Sequence, residues 1–135
     1  SFFDRLAEAL LKELNADCLN ITLFKLNVEA GAKTPIFHAQ RDSVEMQQFH
    51  AQLDKGVSIC GRLNRDKRDH LFGARAQWVQ STALVPLGDD GLLAIGSSDP
   101  ARFYPGMGTL FLDLLSQVVT ARLALEIPQK QRKSA

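Results

Sequence analysis

Val79-Gln80-Ser81-Thr82-Ala83-Leu84-Val85-Pro86-Leu87, then Gly88-Asp89-Asp90-Gly91, then Leu92-Leu93-Ala94-Ile95-Gly96-Ser97, is the stretch on which the fold turns. Two apolar runs flank a short loop of glycine and aspartate, which is the signature of a β-hairpin with a four-residue connection. Ser81, Ala83, Ala94 and Gly96 put small side chains in the middle of both strands. Small residues leave room above a sheet, and either a closely packed helix or a ligand fills it.

Upstream of the hairpin, Leu19, Ile21 and Leu23 alternate with Asn20 and Thr22, while Phe24, Leu26 and Val28 continue on the opposite face. Cys18–Val28 therefore reads as a strand covered from both sides. Glu29–Lys33 is a turn and Thr34–Gln40 a second, weaker strand. Asp42-Ser43-Val44-Glu45 resembles a capping box, and the helix it opens carries Val44, Phe49 and Leu53 on one side until Gly56. Val57–Gly61 is a short apolar segment, and residues 65–72 form a brief helix stopped by Gly73. At the start of the chain, Phe3, Leu6, Ala7, Leu10, Leu11 and Leu14 recur at helical spacing, which predicts an amphipathic helix over 2–14 ending at Asn15. That pattern is already under way at Phe2-Phe3, as expected for a piece of a longer protein.

Downstream, Asp99-Pro100 signals one short helical turn. Pro105-Gly106-Met107-Gly108-Thr109 opens a last helix that runs to about Glu126. Met107, Phe111, Leu114, Val118, Ala121 and Leu125 follow a heptad rhythm along it. Leu110, Leu112, Leu115, Val119 and Leu123 are apolar as well. One side of a sheet cannot cover so much apolar surface, so a second cover is expected.

Residues 1–127 are thus expected to form one α+β domain with a mostly antiparallel sheet. Residues 128–135 form a polar, basic tail expected to be disordered. Sixteen Lys and Arg against fifteen Asp and Glu exclude a globally basic nucleic-acid binder and a strongly acidic disordered chain. No apolar run is long enough to span a bilayer, and no signal peptide opens the chain. Cys18 and Cys60 make no disulfide framework, so a reducing, cytoplasmic setting is expected.

The segment Ser97-Ser98-Asp99-Pro100-Ala101-Arg102-Phe103-Tyr104-Pro105-Gly106-Met107-Gly108-Thr109 is distinctive. With Leu84-Val85-Pro86-Leu87, Leu93-Ala94-Ile95-Gly96 and Cys60-Gly61-Arg62-Leu63, it resembles the bacterial family called domain of unknown function 484, over about residues 15–126. That family is GAF-like. The resemblance implies a GAF/PAS-like central antiparallel sheet. Its N- and C-terminal helices lie on one face, where GAF domains often build a dimer bundle, and loops and short helices form a ligand pocket on the other. The chain departs from the well-characterised GAF chemistries. It has no Asn-Lys-rich cyclic-nucleotide signature, no bilin-attachment cysteine motif and no sulfoxide-reductase cysteine cluster.

The candidate site is drawn from Cys60, Gly61, Arg62, Leu71, Phe72, Ser81, Ala83, Ala94 and Gly96. Val57–Gly73 would roof a pocket floored by Ser81, Ala83, Ala94 and Gly96. Cys60 is either a redox or ligand-contacting thiol, with Arg62 holding an anion, or a small buried hydrophobe beside a turn glycine. Arg62, Arg65, Lys67, Arg68 and Arg75 against Asp66 and Asp69 either bind a phosphate-bearing ligand or form a solvated helix face. Gly106-Met107-Gly108 is either an anion site at a helix start or a turn that needs glycine. His38, His50 and His70 have no metal-ligand spacing, and no nucleophile elbow or phosphate loop is present. No catalytic residue, metal site or cofactor follows from the residues.

The expected function is a non-catalytic sensory or regulatory module that binds a small molecule or a protein partner and signals through its terminal helices. A thiol switch or enzyme built on Cys60, and a purely structural dimerisation module, are the alternatives. A homodimer is expected through the 107–126 and 2–14 helices, with no membrane and no direct nucleic-acid contact.

Overall fold

The computed structural model describes residues 2–25 and 36–126. The 29–33 turn, the apolar positions Leu26 and Val28, and the 128–135 tail lie outside the described residues. The elements run α1 (Phe2–Glu13), β1 (Cys18–Leu23), β2 (Ile36–His38), a 3-10 helix (Val44–Phe49), α2 (His50–Lys55), β3 (Ile59–Gly61), α3 (Arg65–Phe72), a second 3-10 helix (Gly73–Trp78), β4 (Ser81–Pro86), β5 (Gly91–Ser97) and α4 (Leu110–Glu126). The chain is therefore α+β, with a five-stranded sheet ordered β2-β1-β5-β4-β3. Every pairing is antiparallel except β1 with β2, which is parallel.

The hairpin forms as its turn chemistry dictates. Asp90 N donates to Leu87 O and Leu87 N to Gly91 O, closing a turn in which Gly88 takes a left-handed φ of 59°. Pro86 then pairs with Leu92, and every residue of β4 and β5 is buried. β1 joins the other side of β5, with Ile21 opposite Leu93 and Asn20 opposite Ala94. These three strands are wrapped on both faces. Ile21, Leu23, Val85, Leu93 and Ile95 meet Phe3 and Leu10 of α1 and Leu112, Val119 and Leu123 of α4. Leu84, Leu92 and Ala94 meet Met46, Phe49, Leu53, Leu71 and Phe72 on the opposite face. Phe24 joins the second face, as the switch in apolar parity after Leu23 requires.

Asn15 ends α1 in the left-handed region at φ 51°. Ala16 N bonds Leu11 O and Asn15 N bonds Lys12 O, a Schellman arrangement that caps the last carbonyls. A strap follows β5. Ser81 Oγ donates to Asp99 O at 2.7 Å and accepts from Phe103 N at 3.2 Å, while Asp99 Oδ1 accepts from Ala101 N at 2.9 Å. Phe103 is buried in the α1–α4 core, and Arg102 Nε donates to Leu14 O, tying the strap to the end of α1.

Several boundaries differ from expectation. β3 is a strand where only an apolar segment was legible, because three residues are too few for a period to show. Asp99–Arg102 is an Asx-type turn and not a helical turn. α4 begins at Leu110, four residues after Gly106 takes φ 88°. Ser43 makes no side-chain cap, and Val44 is 82% exposed while Met46 takes the buried place. No helix among the described residues is long and apolar enough to cross a membrane.

At Gly91 a Cβ would lie 2.1 Å from Thr22 O, a backbone atom of the paired strand. Gly91→Ala is therefore expected to cost more than about 2 kcal/mol in chemical denaturation, since the β1–β5 ladder must part. Gly88→Ala, at φ 59° with open space around it, should cost only about 1 kcal/mol. Equal losses would show that the close approach at Gly91 does not hold the two strands.

Candidate functional site

The parity of the strands divides the expected pocket floor. Thr82 pairs with Gly96 and Leu84 with Ala94, so Ala94 and Gly96 face α3. Ala83 faces α1 and α4, and Ser81 is engaged by the strap. The four small residues do not share one surface. Above Gly96 the room is taken: a Cβ there would meet Cys18 Sγ at 2.9 Å, Phe72 Cζ at 3.0 Å and Val79 Cγ2 at 3.1 Å. Close helix packing, the first of the two readings of the small residues, accounts for this position.

Cys60 pairs with Ala83 and packs against the α1–α4 core, across the sheet from Leu71 and Phe72. Gly61 lies 3.4 Å from Pro105 by its absent Cβ, and Arg62 is exposed. The basic cluster also disperses. Arg65 pairs with Asp69 at 3.8 Å, Lys67 lies 6.0 Å from the Phe49 ring, and Arg68 Nη1 donates to Val79 O at 3.3 Å. Gly106-Met107-Gly108 precedes α4 without opening it. His50 Nε2 lies 2.9 Å from Arg41 O, His70 packs on Phe49, and no metal-binding cluster exists among the described residues.

Leu71 and Phe72 do line open space. A cleft of about 500 Å³ runs between α1, β1, β2 and α3, bounded by Ala7, Leu11, Cys18, Leu19, Phe37, His70, Leu71, Phe72, Gly73 and Arg75. A second arm of about 410 Å³ adjoins it, bounded by Asp17, Cys18, Arg75, Trp78, Val79 and Ser98. Cys18 and Arg75 belong to both. Arg75 Nη1 donates to Asp17 O at 3.1 Å, and Asp17 Oδ2 accepts from Ser98 N at 2.5 Å. Arg75 stood in the sequence as one cation of a cluster. Its place is set by the 3-10 helix 73–78, for which no sequence signal was read.

Burial pushes the Cys18 thiol up to about 11, with the Asp17 charge adding and Arg75 opposing. Burial likewise raises Cys60, against the pull of Arg102. Both side chains are thiols near neutral pH, the form with little nucleophilicity.

The chain belongs to the DUF484 family of proteins of unknown function, whose family model matches residues 4–126. No curated protein matches it.

Two outcomes follow from this geometry. Gly96→Val is expected to lower stability by about 1–3 kcal/mol in denaturant titrations through overpacking against Phe72 and Cys18, and not to leave the fold untouched. Iodoacetamide near neutral pH should modify Cys18 and Cys60 slowly unless denaturant is present. Because the folded Cys18 value lies above the unfolded 9.0, the stability this thiol contributes is whole below about pH 9 and is lost as pH rises toward 11.

Proposed function

We propose that this chain is a non-catalytic, GAF-like sensory or regulatory module. It binds a small molecule in the Cys18–Arg75 cleft and passes its state to paired terminal helices. One observation carries the reading: α1 takes part in both places. Phe3 and Leu10 sit in the core with α4, while Ala7 and Leu11 border the cleft. A molecule seated there touches the helix whose other side packs beside α4. The arrangement of layers supports the GAF-like assignment: terminal helices on one face of a central sheet, short helices on the other.

The pairing surface follows from α4. Leu112, Val119 and Leu123 are spent on the sheet. The heptad line stays outside, with Phe111 55%, Leu114 50%, Val118 59% and Leu125 68% exposed. A stripe of that length is more apolar surface than a soluble monomer ordinarily leaves in water, and a heptad stripe is self-complementary across a two-fold axis. The homodimer is the occupant proposed for it. No observation favours the thiol-switch alternative, since burial raises Cys60.

Sedimentation at micromolar concentration should give a dimer, and Leu114→Glu should give a folded monomer with an unchanged circular dichroism spectrum. A monomeric wild-type chain overturns the pairing. Native mass spectrometry of protein taken from cells should show a small-molecule adduct that Leu11→Glu, a change in the cleft wall, removes.

A further inference from the structure

We infer that the cleft between α1, β1 and α3 takes an organic anion with an apolar body, its carboxylate or phosphate held by the guanidinium of Arg75. The inference rests on the ligand-binding reading above and names the class of ligand.

The charge around the cleft is one-sided. Among the described residues, no aspartate or glutamate borders its larger arm, which carries Arg75 and His70. Asp17 borders only the smaller arm, and one of its carboxylate oxygens already accepts from the backbone of Ser98. Cys18, at the junction, is a neutral thiol and adds no negative charge.

Arg75 is the arginine that borders both arms of the cleft, and most of its donors are unused. Arg41 and Arg65 have carboxylate partners, at 2.8 Å and 3.8 Å. Arg68 and Arg102 each reach a backbone carbonyl, of Val79 and Leu14, and neither arginine borders the cleft. Arg75 is exposed, makes one bond to a backbone carbonyl, and forms no ion pair among the described residues. A guanidinium has five N–H donors in a planar fork, so Arg75 keeps donors for a bidentate oxyanion.

Much of the cleft wall is apolar. Leu11, Leu19, Phe37, Leu71 and Phe72 supply that surface, and Phe37 is 51% exposed. About 500 Å³ falls within the usual size of small-molecule sites. A polyphosphate or a sugar would leave its polar groups against these side chains without partners, at a cost in affinity. A molecule with one anionic end and an apolar remainder matches both halves of the cleft.

The test uses decanoate, below its micellar concentration, with decanol and acetate as the uncharged and tail-less counterparts, followed by amide chemical shifts of the whole chain. Decanoate is expected to shift Leu11, Leu71 and Gly73 and to saturate, with decanol and acetate at least about tenfold weaker. Arg75→Gln should weaken decanoate at least about tenfold and leave decanol unchanged. Arg62→Gln, outside the cleft, should change neither. Equal binding of decanol and decanoate, indifference to Arg75→Gln, shifts confined to the α4 stripe, or no binding by any probe would each overturn the inference. The broader reading is judged separately: a neutral adduct removed by Leu11→Glu in native mass spectrometry, beside failed anion binding, sinks the anion class and leaves the sensory module standing.

Discussion

The three inner strands are buried on both faces, and this constraint organises the molecule. β4 and β5 expose no residue, and β1 is nearly as enclosed. A sheet of this kind has no solvent side to fall back on, so two layers must cover it. Each burying leucine or isoleucine is worth about 1.5–3 kcal/mol, which makes both covers a condition of folding. α1 and α4 form one layer, while the Val44–Lys55 helical segment and α3 form the other. The cleft lies where these layers meet along β1, with Ala7 and Leu11 of one beside Leu71 and Phe72 of the other.

Much of this was legible before any coordinate was known. The hairpin loop, the α1 spacing, the stop at Asn15, the brief α3 with Gly73 behind it and the heptad line of α4 all follow from local chemistry, and the structure contains each of them. The site was less legible, for a reason of parity. Small residues at 81, 83, 94 and 96 look alike in sequence, yet neighbouring strand positions face opposite ways. Only the register, Thr82 with Gly96, reveals that Ser81 and Ala83 serve one face and Ala94 and Gly96 the other. Cys60 and Phe72 were parted by the same rule. Phe37 comes to the cleft on the weaker strand the sequence offered, whose parallel pairing with β1 no local signal gives, and Arg75 comes through a 3-10 helix too short to announce itself.

The stretch that carried the family resemblance has a structural task. Ser97–Phe103 turns the chain off β5, and a single hydroxyl, Ser81 Oγ, both gives and receives a hydrogen bond to hold it. Asp99 tightens the turn through its own carboxylate, Phe103 plugs the core, and Arg102 closes on the carbonyl that ends α1. The strap thus fixes the helix that borders the cleft, from the α1–α4 side of the sheet.

The edges of the sheet have a consequence of a different kind. β2 and β3, the outermost strands, are each three residues long, whereas the strands of six and seven residues are all interior. Strands rich in leucine and isoleucine are the ones that recruit further chains when their amides and carbonyls lie open. Here such strands are saturated by their neighbours, and what faces outward is too short to template another. Among the described residues, the order of the strands therefore keeps the stickiest sequence away from amyloid-like stacking.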